Sequence, residues 1–450
     1  MGKNEKFFKK IFSLSMAAIL ICSLAGCAAE VSKKPEPPAE EGLLKELDEV
    51  PVYTDNGERM LISFMNEMRP KYENRDEAWQ ILKDSGINTF HSWGHAEWYV
   101  EYCEKYGIDY MPFIYGKTPQ EYDVKIMPED LSDSYVGFSY FDEPTYNQIE
   151  NLKELAVNHG QYFPNEYFYV NLNPCWFEDE YQPGKTLDGH NYSEYVAHFC
   201  DVIFSEIQDN RFLSVDIYPL LQNGLSQSFL YTYENIAEYA KSYDATFHFY
   251  LATTEHYGYR KINAENLRFT INVPLTYGAT AMSYFTYVTY DESKFGHGMV
   301  SLDGLTKNEE YEIVKQVNSE YLNWDHVFMN FKWRETMCLE GEEGTANTLY
   351  SKLQFNVDSI DIIESVTASE DTLIGRFTGK TSDEIGLMVT NFTDPAENKT
   401  DFVDLKLLEA NKAIVYVRGV PQVVDVVNGT LSLEILAGDA AFVIPVEIKE

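Results

Sequence analysis

Between Arg59 and Phe328 the chain alternates between short strand-like runs and helix-like stretches. Strands that alternate with helical patterns make parallel βαβ units, so this rhythm constrains the fold more than any single motif. The strand candidates are Arg59 to Met65, Asn88 to Trp93, Asp109 to Tyr115, Val136 to Phe141, Tyr167 to Leu172, Phe212 to Tyr218, Thr246 to Ala252 and Thr280 to Tyr287. Helical stretches are expected between each pair. Glu77 to Ser85 is ended by Gly86, Glu97 to Tyr106 by Gly107, Tyr146 to His159 carries Pro144 in its first turn, and Asn308 to Leu322 comes last. Eight such units in about 270 residues predict an α/β fold of the (β/α)8 TIM-barrel type. A doubly wound open sheet usually needs a Gly-rich nucleotide fingerprint, and neither GxGxxG nor a Walker pattern occurs.

The rhythm changes near residue 333. Short β-forming segments come next, among them Leu373 to Phe377, Ile385 to Val389, Ala413 to Val417, Val423 to Val427 and Ala440 to Ile444, with Gly379, Gly419, Asn428-Gly429 and Gly438 between them. They predict a small antiparallel β-sandwich. The expected domains are therefore a barrel over 51–330 and a sandwich over 331–450.

The first 50 residues read as an address and a tether. Lys3, Lys6, Lys9 and Lys10 precede an uncharged run from Ile11 to Leu24. That run is short for a membrane span and fits a signal peptide over 1–26. Leu24-Ala25-Gly26-Cys27 resembles the lipobox of bacterial lipoproteins, which implies lipid on Cys27 and a cell-membrane location facing outward or into a periplasm. Residues 27–50, with Pro35, Pro37, Pro38 and a run of Glu, would form an extended spacer. The whole chain carries −37; losing four Lys and one Glu with residues 1–26, a net +3, takes it to −40. Such a surface repels nucleic acid and anionic lipid. Cys103, Cys175, Cys200 and Cys338 show neither CxxC nor metal spacing, so they are expected as free thiols, with no metal and no cofactor.

A barrel of this kind keeps its active site at the carboxyl ends of its strands. Those ends offer Asn66, Glu67 and Arg69; His91 and Trp93; Asp142 and Glu143; Asn171 and Asn173; Asp216 and Tyr218; Glu255 and His256; and Tyr284, Thr286 and Tyr287. Aromatic residues make up 15% of the chain, which suits a cleft where ring faces meet sugar C–H faces as well as a packed core. Glycoside hydrolysis needs one carboxyl to protonate the leaving oxygen and a second to attack or to activate water. Strand ends four and seven lie on opposite sides of a barrel mouth, and each carries a Glu.

At these residues the sequence resembles the clan A retaining (β/α)8 glycosidases, nearest to the β-galactosidase-like family 42. Tyr140-Phe141-Asp142-Glu143-Pro144 looks like the DEP segment of related bacterial lipoproteins, and Ser214-Val215-Asp216-Ile217-Tyr218-Pro219 like their S-x-D-x-Y-P. The resemblance covers roughly residues 58–325. It implies an O-glycosyl hydrolase with Glu143 as acid/base and Glu255 as nucleophile, the latter bonded by Tyr218. Asp142 departs from the clan, which has Asn before the acid/base. His91, Trp93, Asn171, Asp216, Tyr218 and Tyr287 join Asp142 as expected contacts to a carbohydrate substrate, and Glu67 is the rival carboxylate. Two other readings stand beside this one: a non-catalytic sugar-binding lipoprotein on a degenerate barrel, and an adhesion role for the sandwich.

Overall fold

The computed structural model describes residues 57–122, 125–175, 187–289 and 291–447. The chain divides into two units, 1–45 and 46–450, and every described residue belongs to the second. The signal segment, Cys27 and the tether lie outside the described residues. No helix among those described is long and apolar enough to cross a membrane.

The strand rhythm becomes a curled parallel layer. Its strands are β1 (Leu61–Phe64), β2 (Thr89–Ser92), β3 (Asp109–Pro112), β4 (Gly137–Asp142), β5 (Tyr167–Leu172), β6 (Phe212–Val215), β7 (Thr246–Ala252) and β8 (Ala281–Phe285). Six form one sheet in the order β1-β8-β7-β6-β5-β4, and β2 pairs with β3; every ladder among them is parallel. Hydrogen bonds cross both seams. Asn88 N–H donates to the Ile62 carbonyl at 3.0 Å, while Val136 N–H donates to Tyr110 and Ile114 N–H to Ser139 at 3.0 and 2.9 Å. The result is TIM-barrel-like. The strands are short and nearly all buried, as expected where helices cover the outside and side chains fill the inside.

Helices α1 (Arg75–Asp84), α2 (Glu97–Tyr106), α3 (Lys153–Tyr162), α4 (Tyr192–Ile203), α5 (Phe229–Tyr243), α6 (Ala264–Thr276) and α7 (Glu309–Leu322) lie between or after the strands. The expectation of a helix in every gap fails between β3 and β4. There the described residues hold only two single 3-10 turns, Pro119–Glu121 and Pro128–Asp130. Each proline lacks an N–H and forces an extended residue ahead of it, Thr118 at ψ 152° and Met127 at ψ 148°. Pro144 also lies outside the short helix that follows β4, Tyr146–Ile149. Thr145 caps that helix through a capping box with Gln148.

Beyond Asn330 the chain forms two antiparallel sheets from β9 (Phe331–Leu339), β10 (Ile363–Ala368), β11 (Thr372–Gly379), β12 (Ile385–Asn391), β13 (Asp401–Leu407), β14 (Lys412–Val417), β15 (Val420–Asp425), β16 (Thr430–Ile435) and β17 (Ala440–Val446). The larger runs β9-β11-β12-β17-β14-β15 and the smaller β10-β13-β16. Ile374, Leu387, Val389 and Val443 of one share an apolar cluster with Val403, Leu405, Leu431 and Ile435 of the other. Leu373, Phe377, Met388 and Phe442, from the opposite face of the larger sheet, belong to the barrel's own cluster. The close approach is visible at Gly375, where a Cβ would stand 2.1 Å from the Thr276 carbonyl at the end of α6.

Candidate functional site

Asp142 closes β4, and the next residue leaves the ladder abruptly. Glu143 sits at φ +49°, the left-handed region that non-glycine residues rarely occupy. It is held there by its N–H, which donates to the Asn171 carbonyl at 2.8 Å. Pro144 is held too, since its carbonyl accepts from Asn173 Nδ2 at 2.9 Å and from the Tyr195 hydroxyl at 2.7 Å. A non-glycine residue kept in this conformation costs about 1–3 kcal/mol, and such costs concentrate at functional sites.

The strand ends gather three carboxyls. Desolvation, and then the charge of Asp142, push Glu143 up to about 7, although its side chain stays open to solvent at the mouth. Asp142 is raised by burial and pulled back by Asn171, whose Nδ2 donates to it at 3.1 Å. Asp216, just past β6, is pushed up to about 8 by burial first and then by Glu143 and Asp142. The Tyr218 hydroxyl beside it offsets part of this rise, yet neither that oxygen nor Asp216 Oδ1 completes a well-formed hydrogen bond. Carboxyls that feel one another cannot all ionise together, so the group retains protons near neutrality.

A narrow cleft opens beside Asp142, lined by Met65, His91, Trp93, Phe113, Tyr169 and Tyr250. His91 and Ser139 line it, and His91 Nδ1 and Ser139 Oγ are buried without partners. Burial pushes the His91 imidazole down to about 4, so it is neutral. Trp93 is held by its Nε1, which donates to Asn66 Oδ1 at 2.7 Å.

Under the cleft runs a buried polar chain that sequence reasoning missed. Ser63 bonds Ser283, and Ser283 Oγ lies 3.0 Å from His248 Nε2. His248 Nδ1 lies 2.8 Å from Ser214 Oγ, which donates to Asn171 Oδ1 at 2.9 Å; Asn171 then donates to Asp142. An ionised Asp142 can only accept, which fixes the Asn171 amide and makes Ser214 a donor. His248 Nδ1 therefore carries the proton, and burial keeps the ring neutral. The available signal was the polar residue at the inward position of consecutive strands: Ser63, Ser214, His248 and Ser283.

Not every expected residue joins the three carboxyls. Tyr287 is fully buried in the core with its ring 4.7 Å from Phe64, because β8 ends at Phe285 and the chain turns inward. Glu67 pairs with Arg69 at 3.8 Å. Glu255 lies three residues past the end of β7, exposed, and accepts from Gln222 Nε2 at 3.1 Å. The charges raising Glu143 and Asp216 are those of their own group; Glu255 is not among them. Cys103, Cys175 and Cys200 are buried free thiols, and Cys338 is a half-buried one. Among the described residues no group of three or more His, Cys, Asp or Glu could hold a metal ion.

No protein-family description matches the sequence, and no curated protein does. Among solved structures the chain is similar to a β-galactosidase from the haloarchaeon Halorubrum lacusprofundi, with 10% identity, TM-score 0.40 and 58% of each chain covered. A β-glucuronidase from Ruminococcus gnavus matches at 12% identity and TM-score 0.38, over 58% of this chain and 50% of its own. An α-amylase from Geobacillus thermoleovorans matches at 11% and 0.41, over 87% of this chain and 99% of its own. The chain thus spans little more than half the length of the first two. These are glycosidases of several kinds and no single family, and likeness at this level carries no residue role across.

Proposed function

We propose that the protein is an extracytoplasmic glycoside hydrolase, held at the membrane through lipid on Cys27, with its active site at the carboxyl ends of a (β/α)8 barrel. One observation carries the reading. A carboxyl at a strand end, Glu143, sits in a costly backbone conformation beside a second carboxyl, and its proton affinity is raised to about 7. A general acid needs both protonation near neutrality and access to substrate.

In this reading Glu143 protonates the leaving oxygen while Glu255 attacks the anomeric carbon. A glycosyl-enzyme intermediate forms, and water deprotonated by Glu143 then releases it with retention. Glu255 suits attack because it is open to a ligand and sits beyond β7, across the mouth from β4. Asp216 and Tyr218 carry unpartnered buried oxygens, and they serve as hydrogen-bond partners for sugar hydroxyls. A second reading has one observation in its favour: Asp216, not Glu255, is electrostatically coupled to Glu143.

The test is turnover of a panel of aryl glycosides and glycans, followed by rescue. Glu143→Gln should slow substrates with poor leaving groups by roughly 10²–10⁴-fold and activated aryl glycosides far less. Azide should restore turnover to Glu255→Ala and yield a glycosyl azide. Rescue of Asp216→Ala instead would move the nucleophile to Asp216. Tight glycan binding with no turnover of any substrate would leave a non-catalytic carbohydrate-binding lipoprotein.

A further inference from the structure

Large hydrophobic side chains at a protein surface call for a reason when they cluster at a site. Three exposed rings stand on the loops around this mouth: Trp93 after β2, Tyr115 after β3 and Tyr257 after β7, with 44%, 59% and 76% of their surface open. None is loose. Trp93 is pinned by Asn66 and packs edge-on against Phe113 at 5.0 Å. Phe113 meets Tyr115 at 5.4 Å, and Tyr115 stacks on Phe141 at 5.1 Å and 19°. Phe141 immediately precedes Asp142 and Glu143. Tyr257 leans on Phe295 at 5.7 Å and on His256 at 5.5 Å, and His256 packs against Tyr218, 5.6 Å away. Tyr115 and Tyr257 both adopt positive φ, 27° and 45°.

The rings therefore form two shelves. One, Trp93–Phe113–Tyr115–Phe141, descends to Glu143. The other, Tyr257–His256–Tyr218, descends past Glu255 to Asp216. The carboxyls stand at the foot of the two shelves, beside the narrow cleft that His91 and Ser139 help to line. Ring faces held open to water suit the C–H faces of sugars. Charge narrows the choice. Asp142, Glu143, Asp216 and Glu255 stand on the loops of the mouth; of the nearby cations, Arg69, Arg260 and Lys294 pair with Glu67, Asp394 and Asp291, and Lys117, two residues past Tyr115, lies over the Tyr122 ring at 5.4 Å. With four carboxyls against these few cations, a uronic or sulfated chain would meet net repulsion.

We propose that this mouth binds a neutral oligosaccharide laid from one aromatic shelf to the other across the carboxyls, so that a chain is cut at an internal linkage. The inference rests on the glycosidase reading for the cut, but the binding stands separately and is tested without turnover. Glu143→Gln protein, full length in detergent, is titrated calorimetrically with β-1,4-linked gluco-, xylo-, manno- and galacto-oligosaccharides of two to six residues, and with oligogalacturonides. Affinity for one neutral series should climb at least tenfold from disaccharide to the longest chain, with oligogalacturonides weaker throughout. Tyr115→Ala and Tyr257→Ala should each remove tenfold or more of the long-chain affinity, while Tyr115→Phe and Tyr257→Phe, which keep the ring, should not. Affinity independent of length, preference for the uronic series, or alanine variants that bind like their parent would each overturn the proposal. A labelled neutral hexasaccharide given to the unsubstituted protein should yield internal fragments; release of single terminal residues alone would overturn the internal cut. Hydrolysis of aryl monoglycosides alongside flat length dependence would sink this inference and leave the glycosidase reading standing.

Discussion

Asp216 is where function and stability pull apart. Its carboxyl stands at about 8 in the fold against 3.8 ordinarily, so the native state binds the proton more tightly than the unfolded chain. Stability from that proton is complete below pH about 4 and is lost as pH climbs towards 8. Asp216→Asn removes the titration, so the variant should gain stability at pH 8 relative to pH 5. A rise of roughly 2–4 °C in Tm at pH 8, shrinking at pH 5, is expected by calorimetry. Its activity should fall without vanishing, because the amide still donates a hydrogen bond. At Glu143 the sign concerns rate. The acid is lost as pH rises through about 7, so kcat/KM should fall on that alkaline limb. Tyr287→Phe makes the opposite point about a residue that sequence reasoning put in the site. Its hydroxyl is buried without a partner, so the change should be neutral or mildly stabilising and leave hydrolysis untouched.

Across elements, the polar chain from Ser63 and Ser283 through His248, Ser214 and Asn171 couples five strands to Asp142. Every link donates towards the carboxylate, which favours its charged form, and that charge in turn raises Glu143. Asn171→Ala should cost about 1–3 kcal/mol, because it takes the amide donor from Asp142 and leaves the Ser214 hydroxyl only the Tyr169 oxygen, at 3.1 Å, as an acceptor. It should also move the alkaline limb of the rate profile to lower pH: Asp142 then keeps its proton longer and repels the Glu143 charge less. Asp142→Asn should move the limb the same way with the chain intact. A limb that stays in place in both variants would separate the network from catalysis. The shelves obey the same logic at the rim, where each exposed ring has a packed neighbour on its strand-end loop.

The molecule as a whole is tied together behind the site. Arg268 of α6 meets Glu320 of α7 with two bonds of 2.7 Å and approaches Asp439 at 3.8 Å, and Asp439 also holds Arg418. Glu234 of α5 accepts from the N–H groups of Gln354, Phe355 and Asn356. Arg268 is 3% exposed, so removing it takes both bonds from the half-buried Glu320 and leaves Asp439 with Arg418 alone. Arg268→Ala should cost about 3–5 kcal/mol by chemical denaturation. With Phe377, Met388 and Phe442 inside the barrel's own cluster, barrel and sheets should melt in one calorimetric transition.

Strand periodicity and the Asp142-Glu143-Pro144 turn are readable in the chain, because burial between helices forces short apolar runs and a strand end exposes the residues just beyond it. The β3–β4 gap misleads because apolar residues there suggest a helix that Pro119 and Pro128 forbid. Strands β9, β10, β13 and β16 are hard to read because one-sided burial dilutes them with polar residues, as in the alternating Asp401–Leu407. What only the tertiary structure decided is which polar residues meet. His248 lies 34 residues from Ser214 and 35 from Ser283; it stands level with Ser214 on β6 and reaches Ser283, two residues beyond its register partner Ala281 on β8. Tyr287 and Tyr257 are the same residue type near two strand ends, yet one is sealed in the core and the other is 76% exposed. Local sequence sets which segments become strands; the direction in which the chain leaves each strand, inward at Tyr287 and outward at Tyr257, is set by what packs around it.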